Sequence, residues 1–150
     1  MDLEIAAVRL ALGNLSSEEV IVAASAALDR RVYSDSLGLL MYEEPIWSQV
    51  GPLFERALFE LSIPIPSREN ASPILAREYA RQIVDGEVTP YEGARKIWFV
   101  ANESRVDDSL RIFVGLASEW EDDPAHRPQY EAMIVEEARR LAVSGEGQPV

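Results

Sequence analysis

Residues 73–101 carry their own helix punctuation, and it leaves little room for any fold but a helical one. Ser72-Pro73 pairs a capping hydroxyl with proline at a first helical position, where the missing N–H costs nothing. Leu75, Tyr79 and Ile83 follow on one face, and Gly86 offers the left-handed stop that ends many helices. Thr89-Pro90-Tyr91-Glu92 then opens a second helix as a capping box, with Tyr91, Ala94, Ile97, Trp98 and Ala101 inward. A helical hairpin of antiparallel neighbours is expected.

The same 3.6-residue period recurs along the chain. Leu3, Ala6, Ala7 and Leu10 share a stripe that Gly13-Asn14 breaks. Ser16 and Glu19 form a capping box for a helix burying Val20, Ile21, Ala24, Ala27 and Leu28. Within residues 32–44, Ser34-Asp35-Ser36 looks like a cap and Leu37–Tyr42, apolar on all sides, reads either as a short buried helix or as an irregular packed segment. Pro45 is expected to open the next helix, with Ile46, Val50, Leu53, Phe54, Ala57, Leu58 and Leu61 inward. Gly51-Pro52 should kink or restart it. Residues 62–72, with Pro64 and Pro66, read as a stiff linker between two helical halves. Asp107 or Asp108 should cap a helix burying Leu110, Phe113, Leu116, Ala117 and Trp120. Pro124 and Pro128 break it. A last helix places Tyr130, Met133, Ile134, Ala138 and Leu141 inward and stops at Gly145, leaving a loose tail. The expected architecture is all-α: one domain over residues 1–150, a bundle of about six or seven helices.

Composition narrows the function classes. No cysteine is present, which removes disulfides, thiolate metal sites and cysteine nucleophiles. The acidic N-terminus is unlike a secretion signal, and no apolar run reaches the ~20 residues of a membrane span, so a cytoplasmic, membrane-free setting is expected. The net charge is −12, and residues 1–75 and 76–150 each carry −6. Such a surface repels phosphate backbones and favours basic protein partners; no nucleic-acid binding is expected. Lys96 is the single lysine, a bias typical of GC-rich coding sequence.

Catalytic signatures are absent. There is no phosphate-cradling glycine pattern and no nucleophile elbow, and one histidine, His126, is too few for a zinc-protease motif. The chain is therefore expected to be no enzyme and to need no cofactor. The densest chemical feature is Glu119, Trp120, Glu121, Asp122 and Asp123, followed by His126. It is the candidate partner contact. Asp123 and His126 also have the spacing of half a di-metal carboxylate motif, which makes a metal protein or an enzyme built on residues 119–126 a third reading. Trp47, Trp98 and Trp120 all fall on apolar stripes, where core packing is expected. A tryptophan on a binding face is the alternative.

The stretch Ile83-Val84-Asp85-Gly86-Glu87-Val88-Thr89-Pro90-Tyr91-Glu92-Gly93-Ala94 resembles the helical hairpin of colicin-D-type toxin immunity proteins. It and Phe113-Val114-Gly115-Leu116-Ala117-Ser118-Glu119-Trp120-Glu121-Asp122 are also similar to small helical proteins of GC-rich bacteria. The resemblance implies an inhibitor that captures a cationic toxin, and it carries over no functional residue. A non-enzymatic acidic protein-binding module is thus the first expectation. A structural or regulatory homo-oligomer using an apolar helix face is the second.

Overall fold

A computed structural model describes residues 1–103 and 108–144. The protein is all-α, with eight α-helices and no strand among the described residues. The chain divides into two compact units, Met1–Ala71 and Ser72–Val150.

The first unit holds α1 (Leu3–Ala11), α2 (Ser17–Asp29), α3 (Asp35–Leu39) with a 3-10 turn at Leu40–Tyr42, and α4 (Trp47–Glu60). Asp2 caps α1, and Ser16 with Glu19 caps α2 through the expected reciprocal box. The core is rich in small residues: Ala6, Ala7, Ala23, Ala24, Ala27 and Ala57 let the helices approach, and Leu37, Leu40, Val50, Phe54 and Leu58 fill what remains. Arg9 crosses from α1 to α2 and donates twice to Glu19, at 2.6 and 3.0 Å. Residues 32–44 resolve into α3 and its turn, with Ser34 capping Leu37 N–H at 3.1 Å. That helix raises the count above the expected six or seven.

Several expectations are corrected here. Helix α4 starts at Trp47 rather than Pro45, because Ile46 keeps an extended backbone (φ −113°, ψ 122°). Ile46 and Trp47 are consequently exposed instead of entering the core. Pro52 neither ends nor restarts α4. It sits in the second turn, where only one backbone bond is lost.

The second unit takes in most of α5 (Arg68–Val84), then α6 (Pro90–Glu103), a 3-10 turn at Asp108–Leu110, α7 (Arg111–Asp122), a 3-10 turn at Pro124–His126, and α8 (Arg127–Val143). Ser72 is no cap. Helix α5 already begins at Arg68, the Ser67 hydroxyl accepts from Asn70 N–H at 3.2 Å, and Ser72 lies fully buried one turn further on. The linker is thereby shortened to residues 62–67. Gly86 (φ +74°) ends α5 as expected, with Glu87 N–H on Gln82 C=O and Gly86 N–H on Ile83 C=O, and Thr89 caps α6. Ile97 and Val100 of α6, Phe113 and Leu116 of α7, and Ile134 and Ala138 of α8 are buried where these three helices pack together. Met133 is half exposed, against expectation. Asp107 and the tail from Gly145 lie outside the described residues, and α7 starts at Arg111 with Leu110, not Asp108, at its cap position.

Candidate functional site

The structure spends part of the 119–123 cluster on itself. Trp120 closes the turn between α7 and α8. Its ring stacks on Tyr91 of α6 at 4.0 Å with 13° between planes, and the Arg127 guanidinium lies 3.9 Å from it. The indole N–H donates to Glu131 at 3.1 Å, and Arg127 Nε donates to the Trp120 carbonyl at 2.9 Å. A ring held by an aromatic, a cation and a carboxylate is a packing element.

The acids divide accordingly. Glu121 accepts from the Tyr91 hydroxyl and lies 3.7 Å from Arg95. One oxygen of Asp123 meets both the Tyr130 hydroxyl and His126 Nδ1, each at 2.8 Å. The Tyr130 bond, then His126, hold the Asp123 carboxyl below its usual range, and the same bond pushes the Tyr130 phenol up. Glu119 and Asp122 are exposed. The structure does bring Asp123 and His126 together, but no group of three acid or histidine side chains arranged to hold a metal ion occurs among the described residues. A hard cation normally takes six or more oxygen ligands, or fewer with imidazole.

Sequence reasoning missed a second surface. On the first unit, Leu39, Met41, Tyr42, Ile46 and Trp47 stand out into solvent, Tyr42 at 88 % exposure. The segment bearing them is held at both ends. Glu60 at the end of α4 accepts from Ser36 N–H (3.0 Å) and Ser36 Oγ (2.7 Å). Leu37 and Leu40 anchor it in the core. Further along, Ser17 Oγ donates to the Pro45 carbonyl at 2.8 Å, with a Glu18 carboxylate oxygen 3.1 Å from the same hydroxyl. Along the chain, between Arg31 and Arg56, there is no basic residue, while Asp35, Glu43, Glu44 and Glu55 are acidic. The available signal was the run Leu37–Tyr42, apolar on every side. A five-residue helix cannot bury both of its faces, so half of that run had to face out.

No described helix is long and apolar enough to cross a membrane. No protein-family model matches the chain, and no curated protein and no solved structure matches it.

Proposed function

We propose that this chain is a non-enzymatic, acidic protein-binding module that works in the cytoplasm and takes a basic protein as its partner. The observation that carries the reading is the Leu39–Trp47 ridge: tyrosine, methionine, tryptophan and aliphatic side chains, fixed at both ends, in a stretch of chain whose charged residues from 32 to 55 are all acids. Tyrosine, tryptophan and methionine are enriched where proteins bind one another, and a fixed segment loses little entropy on binding. The surrounding carboxylates would steer a cationic partner to the ridge and exclude acidic ones. Glu119, Glu121 and Asp122, exposed in the 119–123 cluster, add to the chain's negative charge. An immunity-type inhibitor of a basic toxin is the concrete form favoured by the resemblance of residues 83–94.

Self-association through the ridge is the second reading, and charge speaks against it, since each copy brings −12 to the contact. The test is a tagged pull-down from the native host at low and high salt, run with the wild-type chain, with Tyr42→Ala and with the double variant Glu43→Gln/Glu44→Gln. A basic protein held at low salt, weakened at high salt and lost from Tyr42→Ala is the expected result. Retention equal in all three chains would remove the ridge from the reading. A wild-type dimer in light scattering that Tyr42→Ala dissolves would replace it with self-association.

A further inference from the structure

We propose, independently of that reading, that the second unit holds a binding site for a small carboxylate with an apolar body, and that Arg77 is its anchor. Helices α5, α7 and α8 leave a cavity of about 460 Å³ between them. That volume falls within the roughly 300–1,000 Å³ of small-molecule sites. Its apolar wall comes from Ala76, Leu110, Phe113 and Leu141.

Three charged side chains line it, and they do not cancel. Arg140 donates to Glu137 at 2.8 Å and lies 3.7 Å from Glu136, so its charge is answered within α8. Arg77 is half buried, and among the described residues it has no hydrogen-bond or ion-pair partner. A guanidinium without a counter-ion beside an apolar wall is open to an anion, and a chain with 26 acids supplies it none among the described residues. A ligand carboxylate satisfies it with two parallel N–H···O bonds. The apolar body of that ligand then covers Phe113 and its neighbours. The lining carries one net positive charge, which fits a monoanion. A phosphate would bring a second negative charge toward Glu137.

The test uses octanoate as the carboxylate and octanol as its uncharged counterpart, titrated calorimetrically into the whole chain. Wild-type protein is expected to bind octanoate saturably at one site. Arg77→Gln should weaken octanoate about tenfold or more, the loss of a charge-assisted pair, and leave octanol unchanged. Ala76→Leu, whose added carbons enter the cavity, should exclude both. Should that variant lose its helical circular dichroism, Arg77→Gln alone decides. Absence of saturable octanoate binding by wild-type protein, or equal affinity in Arg77→Gln, would overturn the site.

Discussion

The two units solve one problem, hiding the apolar faces of short helices, in opposite ways. The first unit closes its core on alanines. Its helices approach so closely that the bulky side chains left over, Tyr42 and Phe59 at 88 and 85 % exposure, are put outside. The second unit also buries alanines, Ala76, Ala80, Ala94, Ala117 and Ala138, but fixes its α7–α8 turn with the Tyr91–Trp120–Arg127 group and leaves space inside, against Phe113. The first unit therefore puts its bulkiest surplus almost fully outside, whereas the second exposes Phe99, Ile112, Met133 and Val143 less and keeps a hollow between its helices. A surface of the first kind suits a protein, and a hollow of the second kind suits a small molecule.

Truncating one phenylalanine in each unit is the strongest way to break this comparison. Phe54→Ala empties a fully buried site among tightly packed neighbours and should cost about 4 kcal/mol in urea unfolding. Phe113→Ala enlarges a space that already exists, and its cost should be nearer 3 kcal/mol. Equal losses would mean that Phe113 sits in a core as closed as that of the first unit.

Gly93→Ala probes the tightest approach in the second unit. A β-carbon there would sit 2.5 Å from Ile83 Cδ1, with Cγ1 closer still. Overpacking costs about 1–3 kcal/mol and the better helix former returns about 1, so a net loss of about 1.5 kcal/mol is expected. A neutral result would show that α5 and α6 part easily, and the second unit would then be the looser one throughout.

Glu19→Gln tests the ion pair that closes the first unit. The amide keeps an oxygen for the Ser16 N–H bond while losing the charge opposite Arg9. Arg9 is only 16 % exposed, but Glu19 is 39 % exposed and solvent screens the pair, so the expected loss at neutral pH is about 1 kcal/mol. The Arg9 hydrogen bond chiefly holds the Glu19 carboxyl below its usual range. A depressed carboxylate contributes stability above its unfolded pKa and loses it as pH falls through the folded value. Wild-type and variant stabilities should therefore begin to converge as pH falls below the ordinary glutamate value of about 4.3. A gap that does not narrow as pH falls further would point to lost packing instead of lost charge.

What was legible in the sequence follows from how local each cause is. The Ser16–Glu19 box, the Thr89-Pro90 start and the Gly86 stop are decided within four or five residues, and the structure has all three. The core stripes were legible wherever a long helix has a neighbour on one side, as with Val50, Phe54, Ala57 and Leu58. Helix starts marked by proline were less so. Pro45 and Pro73 both looked like first helical residues, yet one precedes its helix and the other lies inside it, because the extended Ile46 and the Ser67 cap set the true starts. Core packing was expected of Trp120 from its stripe, but its stacking partner Tyr91 lies on another helix, so that pairing was invisible along the chain. The Arg77 cavity was illegible for the same reason, being what three helices leave between them, and the 39–47 ridge showed only as the all-round apolar run Leu37–Tyr42.

The smallest expected effect sharpens the comparison at the helix ends. Helices α2 and α4 of the first unit end on left-handed residues with side chains, Arg31 (φ 65°) and Ser62 (φ 58°), whereas α5 of the second ends on Gly86. All three endings carry the same paired bonds; at Ser62 they are Ser62 N–H to Phe59 C=O at 3.1 Å and Ile63 N–H to Leu58 C=O at 2.9 Å. A β-carbon in that conformation costs roughly 1 kcal/mol, and a glycine frees the unfolded chain by a fraction of that. Ser62→Gly should therefore stabilise the protein by about 0.5–1 kcal/mol, read as a higher urea midpoint with an unchanged slope. The exposed Ser62 side chain gives up little in exchange. A loss of stability would mean that the chain between α4 and α5 relies on the stiffness of a non-glycine residue, and that the first unit, which packs the tighter core, also depends on how its exit is held.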